Sequence, residues 1–281
     1  MLGFINVYKP SGITSNAVIS KIKRRVKPDK LGHMGTLDPM AEGVLPIAIG
    51  NATRMFDYFL NKTKTYIATF EFGYETDTLD ATGNIERSTD ALPTPDMVKE
   101  ALSSFIGKCN QMPPKYSAKN VNGRRAYDMA REGIEFELKP KEIEILEFEY
   151  LSHVGNKYEF KITCSSGTYI RSIGRDLGYK LNSLATMTKL IRSVSGRFTI
   201  DNAVKLEDLE NIEDLNSILL PIDEVFVYDK YEVSNEYAIK LKNGMTIKCE
   251  LDNGLYFVTN NSLNLGVAEV YNGTIKLKTH F

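Results

Sequence analysis

Residues 32–50 read Gly32-His33-Met34-Gly35-Thr36-Leu37-Asp38-Pro39-Met40-Ala41-Glu42-Gly43-Val44-Leu45-Pro46-Ile47-Ala48-Ile49-Gly50. Glycines at 32, 35 and 43 and the proline at 39 force a tight, irregular backbone around one carboxylate, Asp38, and one imidazole, His33. The apolar run 44–49 that follows anchors this loop in a core. Taken alone, Asp-Pro among glycines is a turn signal. Its weight comes from what stands around it in the rest of the chain.

Outward from the loop, helix and strand signals alternate irregularly. Upstream, Thr14 or Ser15 caps a predicted helix with Val18, Ile19, Ile22 and Val26 on one face. Lys21, Lys23, Arg24, Arg25 and Lys27 occupy its other face. Downstream, Tyr66, Ala68, Phe70, Phe72 and Tyr74 alternate with Ile67, Thr69, Glu71 and Gly73, the period of a half-buried strand. Thr94-Pro95 and Gly107 frame a helix carrying Val98, Ala101, Leu102 and Phe105 inward. Residues 142–151 and 158–164 flank Gly155-Asn156 and predict a hairpin. Residues 169–182 predict a helix with Ile170, Ile173, Leu177 and Leu181 inward. A further helix is predicted over 205–218, with Leu206, Leu209, Ile212 and Leu215. From 228 onward, short strands separated by Asn243-Gly244, Asp252-Asn253-Gly254 and Asn272-Gly273 predict a small all-β module. The last pair predicts a type I′ hairpin between 267–271 and 274–278.

With 281 residues, 42% hydrophobic and 25% charged, the chain has the composition of an ordinary globular protein of one large or two modest domains. No apolar run approaches the length of a membrane helix, about 20 residues. The N-terminus shows neither a basic region nor a small-residue cleavage site, so no export signal is expected. Cys109, Cys164 and Cys249, far apart and odd in number, fit a reducing cytoplasm. His33, His153 and His280 are not at ligand spacing, and no metal site is expected. The net charge of −1 conceals a strong segregation. Lys and Arg outnumber acids seven to two over 1–40, five to one over 111–131 and seven to one over 161–197. By contrast 135–150 holds six Glu, and 201–224 holds eight Asp or Glu. Basic blocks that coincide with the chemistry-bearing stretches point to an anionic partner, and phosphate backbones are the commonest.

Gly-His-x-Gly-x-Leu-Asp-Pro-x-Ala-x-Gly-Val-Leu, residues 32–45, resembles the active-site segment of the TruB family of tRNA pseudouridine-55 synthases. The resemblance continues in the family's order. Tyr8-Lys9-Pro10-Ser11-Gly12-Ile13-Thr14-Ser15 is similar to its Lys-Pro-x-Gly-x-Thr/Ser-Ser segment. Lys64-Thr65-Tyr66-Ile67-Ala68 is similar to its Lys-x-Tyr-x-Ala strand, and the turn Thr76-Asp77-Thr78-x-Asp80 follows. Gln111-Met112-Pro113-Pro114-Lys115-Tyr116-Ser117-Ala118, with Gly123-Arg124-Arg125-Ala126-Tyr127 and Arg131, resembles its RNA-clamping insertion. Gly167-Thr168-Tyr169-Ile170-Arg171 matches its Gly-Thr-Tyr-Ile-Arg motif. Leu190-Ile191-Arg192-Ser193 is similar to its Leu-Arg-Arg-Thr segment, with Ile191 replacing an arginine. Lys119-Asn120 stands where the family more often has Leu-Lys. Residues 266–276 resemble the end of the family's C-terminal PUA-like domain.

The resemblance implies an α+β fold: a pseudouridine-synthase catalytic domain over 1–225, with a mixed sheet and helices around a central cleft, a clamping insertion at 111–133, and a PUA-like RNA-binding domain over 228–281. It implies an isomerase that flips uridine 55 out of the tRNA T-loop and converts it to pseudouridine. Breaking C1′–N1, turning the base and joining C1′ to C5 nearly balances in heat and charge, so no cofactor is expected. By the same resemblance Asp38 is the carboxylate at the ribose–base junction, as nucleophile or as base. Arg171 is its cationic partner, with a planar fork able to hold it by two hydrogen bonds. Tyr66 stacks on the base, and its oxygen is the candidate acceptor of the C5 proton. His33 fills the space that the flipped nucleotide vacates. Tyr169 and Leu190 wall the pocket, and Lys9, Arg124 and Arg125 bind the substrate. The implied partner is the T-stem-loop of tRNA, met by a cytoplasmic monomer that requires no protein partner. Two readings of other classes stand beside this one. An RNA-binding folding helper with lost catalysis is opposed by the intact Asp38, Tyr66 and Arg171, and a guide-RNA-dependent relative of the family by the insertion at 111–131.

Overall fold

The strand predicted from Lys64 onward lies inside the main sheet, and its alternation is visible in burial. Lys64, Tyr66, Ala68, Phe70 and Phe72 are buried, while Thr65, Ile67, Thr69 and Glu71 are partly exposed. The computed structural model describes residues 1–26, 28–60, 62–117, 119–121, 123–212 and 214–281. Lys27 of the basic helix face and Ala118 of the clamp segment lie outside these residues.

The chain opens with β1 (Gly3–Lys9), α1 (Ser15–Val26), β2 (Leu31–His33), β3 (Glu42–Ile49), α2 (Phe56–Leu60) and β4 (Lys64–Phe72). A short hairpin of β5 (Tyr74–Thr76) and β6 (Ile85–Ser88) leads to α3 (Pro95–Leu102) and β7 (Gly107–Gln111). The segment 111–133, expected from the resemblance to be a clamp, holds β8 (Asn120–Val121), β9 (Arg124–Arg125) and α4 (Ala126–Arg131). Then come β10 (Lys141–Val154), β11 (Lys157–Cys164), α5 (Ile170–Lys180), β12 (Ala185–Ser195), β13 (Phe198–Thr199), β14 (Val204–Lys205) and α6 (Ile222–Val225). The C-terminal part comprises β15 (Asp229–Glu232), α7 (Asn235–Lys242), β16 (Ile247–Lys248), β17 (Gly254–Asn260), β18 (Leu263–Tyr271) and β19 (Thr274–His280).

The large mixed sheet runs β14-β1-β3-β12-β4-β11-β10-β7, with β2 beside β3 and β13 beside β12. Its register places the site. β12 runs parallel to β3, with Arg192 opposite Gly43, and antiparallel to β4, with Arg192 opposite Tyr66 and Leu190 opposite Ala68. The Asp38 loop joins β2 to β3 at the same place. Gly43 is required there: its φ is +106°, and a Cβ would lie 2.4 Å from the Arg192 carbonyl oxygen. On the other side, α5 can approach β4 because residue 174 is glycine, where a Cβ would meet the Phe70 ring at 2.9 Å.

Local signals account for most elements. Thr14 Oγ1 accepts the Ala17 amide at 3.0 Å and caps α1. Thr94 caps α3, which ends at Leu102 and continues to Phe105 as a single 3-10 turn. The predicted hairpin around Gly155-Asn156 is present as β10 and β11. Among the described residues of 205–218 the expected helix is absent. Residues 204–205 pair with β1, and separate 3-10 turns follow at Asp208–Glu210 and Leu215–Ile218. Leu206, Leu209 and Leu215 are buried all the same, the last two on the two 3-10 turns. The five acids within 205–218 would repel along one helix. Asp214 instead accepts the Asn216 amide at 2.9 Å through its side chain and starts a new turn.

The C-terminal strands form a five-stranded sheet, β15-β17-β18-β19-β16. Asn272 and Gly273 both have positive φ, 48° and 70°, as the type I′ turn between β18 and β19 demands. Asn243-Gly244, expected between strands, closes a helix instead. Ser234 caps α7, and the Gly244 and Met245 amides bond back to Leu241 and Lys240 in a Schellman ending. The module thus carries a helix in addition to its strands. An aromatic cluster of Phe4, Phe59, Phe198, Phe226 and Phe257 packs the two sheets into contact.

Candidate active site

The Asp38 loop is held from several directions. Ser15 Oγ accepts the Leu37 amide at 2.9 Å and lies 3.1 Å from the Leu37 carbonyl oxygen. The Gly12 amide donates to the Pro39 carbonyl at 2.8 Å, and Ser11 Oγ to that of Met40 at 2.8 Å. Arg192, inside the sheet, donates Nε to the Val44 carbonyl at 2.7 Å and Nη2 to that of Gly35 at 3.0 Å. The segment 9–15 and Arg192 therefore fix the backbone on both sides of Asp38, whose side chain stays about one-third exposed, at 34%.

Arg171 reaches this carboxylate from the first turn of α5. Its Nε lies 2.9 Å from Asp38 Oδ2. The expected two-bond fork does not form, because the other two nitrogens are engaged elsewhere. Nη1 donates to the Thr78 carbonyl at 2.9 Å and lies 3.5 Å from Asp80 Oδ2, and Nη2 donates to the Tyr116 carbonyl at 3.0 Å. A cation at a helix N-terminus is disfavoured by the helix dipole, by about 0.3–1 kcal/mol. Two carboxylates and two carbonyls offset that and the cost of burial. The orientation of Arg171 is over-determined, so Asp38 has a cation at a set distance and angle.

Asp80 is the residue that sequence reasoning passed over. It was visible within the turn 76–80 but carried no assigned role. In the structure it is 4% exposed, and its Oδ1 takes Thr78 Oγ1, the Thr82 amide and Thr82 Oγ1 at 2.9, 3.0 and 2.5 Å. Oδ2 is left for Arg171. The neighbouring Leu79 has φ +63°, a conformation costing a bulky residue on the order of 1–3 kcal/mol. That strained residue lies between the Thr78 carbonyl and Asp80, both of which face Arg171.

Tyr66 is buried beside Leu190 and Arg192. Burial pushes its phenol up to about 12, and the Arg192 guanidinium pulls against this. Tyr169 holds the N-terminal cap position of α5. Its backbone exchanges hydrogen bonds with the Gln111 amide, at 2.8 and 3.0 Å. Its phenol stands within the fields of Arg171 and Asp38. His33, on β2, has a buried Nδ1 with no hydrogen-bond partner among the described residues. Burial first, and Arg192 second, lower its pKa, so the imidazole is neutral at neutral pH. Lys9 differs from the substrate-binding expectation. It is fully buried, and Nζ donates to the carbonyls of Pro10, Ile13 and Pro39 at 2.9, 2.7 and 3.2 Å. Burial lowers it to about 8. Lys9 straps two loops together and does not present a charge to a phosphate.

The basic blocks divide between interior and surface. Within 161–197, Arg171 and Arg192 are interior, Arg175 pairs with Asp176, and Lys161 pairs with Glu147 and Glu149. That block is therefore largely spent within the protein. On α1, Lys21, Arg24 and Arg25 border an apolar recess with Leu206, Leu209 and Leu215, and Arg25 bonds to the Ile212 carbonyl. Arg124 and Arg125 are exposed on β9, with Arg124 Nη2 2.7 Å from both oxygens of Glu132. The foot of their segment touches the centre through Tyr116, Gln111 and the Met112 carbonyl, which accepts Ser172 Oγ at 2.9 Å. No hydrogen bond or ion pair joins Arg124 or Arg125 to Asp38 among the described residues.

No cluster of metal-binding side chains occurs among the described residues, and no helix among them is long and apolar enough to cross a membrane. Comparison with known proteins extends what the geometry indicates. The N-terminal domain of the TruB family pseudouridylate synthases matches residues 23–170, and the C-terminal domain of tRNA pseudouridylate synthase B matches 171–227. The chain is 42% identical over 252 residues to tRNA pseudouridine synthase B of Clostridium kluyveri, covering 89% of this chain and 86% of that protein. It is 40% identical over 292 aligned positions to tRNA pseudouridine synthase B of Clostridioides difficile, covering 98% and 97%. In fold it is similar to a chain of an H/ACA ribonucleoprotein bound to a substrate RNA containing 2′-deoxyuridine. The TM-score is 0.72 at 21% identity, over all of this chain and 85% of that one. With family matches running from residue 23 to 227 and the site in place, the chain belongs to the TruB family of pseudouridylate synthases.

Proposed function

We propose that this protein isomerises uridine 55 in the T-loop of tRNA to pseudouridine, with Asp38 as the reacting carboxylate. The observation that carries the reading is a carboxylate open to solvent on one side and held on the other by a buried arginine, 2.9 Å from Nε. Such a group keeps its charge when a nucleoside covers it, since Arg171 offsets the desolvation. It then acts on the ribose–base junction as nucleophile at C1′ or as base on the sugar. The base is released, turns and bonds to C1′ through C5. Tyr66 stacks on the base and takes the C5 proton. Neutral His33, with its unpartnered Nδ1, fills the space that the flipped base leaves. Leu190 and Tyr169 wall the pocket.

Residues 1–225 act as the catalytic domain and 111–133 as the clamp, whose Arg124 and Arg125 meet the RNA backbone. The module at 228–281 serves as a PUA-like RNA-binding domain. The protein works as a monomer on the T-stem-loop, in the cytoplasm where tRNA is found. The test is pseudouridine formation on a T-arm hairpin with no guide RNA, beside the same hairpin with cytidine at the target. Product from the first, and equal binding with no product from the second, is the expected outcome. Product only after a guide RNA is added, or tight binding of every hairpin with no product, overturns the reading.

A further inference from the structure

Arg192 is 1% exposed, and among the described residues no carboxylate pairs with it. A buried guanidinium without a counter-charge is expensive. Its Nε and Nη2 bond to the Val44 and Gly35 carbonyls, and Nη1 lies 3.4 Å from that of Thr36. Directly opposite Arg192 across the ladder, on the same face of the sheet, stands the buried Tyr66. Three other basic groups, Lys9, His33 and Lys64, feel the Arg192 charge. The sheet thus sets a buried cation behind a single phenol. Nothing in the loop-holding role calls for this, since carbonyls can be tied by neutral donors.

We propose that Arg192 is a positioning residue that acts through Tyr66, serving as counter-charge to a transient Tyr66 phenolate during the transfer of the C5 proton. This rests on the reading of the protein as a pseudouridine synthase. Once C1′ has bonded to C5, the ring holds a C6=N1 double bond and a tetrahedral C5 that still carries its hydrogen. Tyr66 gives its phenolic proton to the lone pair of N1, which leaves a C6=N1–H iminium. The phenolate, held against Arg192, then takes the proton from C5. The C5–H pair becomes the C5=C6 double bond, the C6=N1 pair moves onto N1 as its lone pair, and the phenol is restored. N1 and C5 both flank C6, so one oxygen serves both transfers. Burial raises the phenol to about 12 even against the pull of Arg192, so without that cation the phenolate would be costlier still.

The experiment is single-turnover conversion of the T-arm hairpin with hydrogen or deuterium at C5 of the target uridine. Arg192→Lys keeps a buried cation but loses the planar fork. It should slow conversion by about 10²-fold, the usual contribution of a proton-transfer group, leave hairpin binding unchanged, and make the C5 isotope effect larger than in the wild type. Slowing with no added isotope effect would mean that Arg192 only holds the Asp38 loop, and unchanged turnover would mean no role at all. Either overturns the proposal. If Arg192→Lys does not fold, Tyr66→Phe decides: it removes one oxygen, keeps every Arg192–carbonyl bond, and must show the same enlarged isotope effect. Where both fold, Arg192→Lys should add no further slowing to Tyr66→Phe, and additive losses overturn the proposal. Wild-type protein that makes no pseudouridine defeats the functional reading itself, which is a separate result.

Discussion

The same pair of chemical groups, a guanidinium and a carboxylate, occurs twice in this molecule with opposite design. At the centre, Arg171 and Asp80 are both about 6% exposed, and Arg171 is tied to four partners on three segments of chain. In the clamp, Arg124 and Glu132 are about half exposed, and their single ion pair lies in water. The neighbouring cations follow suit: Lys119 bonds to the Lys139 carbonyl, and Arg131 stacks over the Tyr127 ring. An exposed pair of this kind contributes about 0–1 kcal/mol and is screened by salt. Glu132 is therefore easily exchanged for a phosphate. The central pair is not readily exchanged, because parting it leaves each group buried with one counter-charge fewer. Rigid charge fixes one carboxylate in one place, and replaceable charge leaves a surface open to another anion.

Substitutions test this contrast, and the largest effect belongs at the centre. Asp38→Asn keeps the shape and removes the reacting charge. Conversion of a T-arm hairpin should fall by at least about 10³-fold while hairpin binding and the melting temperature stay near wild type. Wild-type turnover in this variant would remove Asp38 from the chemistry. Next comes Asp80→Asn, which leaves the Thr78 and Thr82 contacts partly in place but takes one counter-charge from Arg171. The turnover rate should fall by about 10–100-fold, and stability by about 1–3 kcal/mol, with KM little changed. A variant as fast and as stable as wild type would show that Arg171 is positioned by the two carbonyls alone. The smallest effect is expected in the clamp. Arg124→Ala combined with Arg125→Ala should weaken hairpin binding about tenfold and lower the salt slope by about 1.5, with the rate at saturation unchanged. An unaltered slope would place both arginines on a merely solvated face.

Much of the centre was legible in the sequence, because its residues occur in ordered motifs with short-range consequences. The glycine-rich loop around Asp38, the alternation that buries Tyr66, the inward face of the helix carrying Arg171 and the Asn272-Gly273 hairpin all follow from local backbone chemistry. Local chemistry also misled over 205–218, where the apolar spacing suits a helix but the acids and the pairing of 204–205 with β1 break it into turns. Beyond Arg171, what the sequence could not assign was the destination of each charge. Lys9 and Arg192 look like the other cations of basic blocks, yet both go inside. Asp80 reads as a turn residue until Arg171, 91 positions on, arrives beside it. A side chain's helix or strand preference depends on its neighbours in sequence. The cost of burying its charge depends on which carbonyls and counter-ions surround it, and only the packed sheet, with β12 between β3 and β4, brings those together.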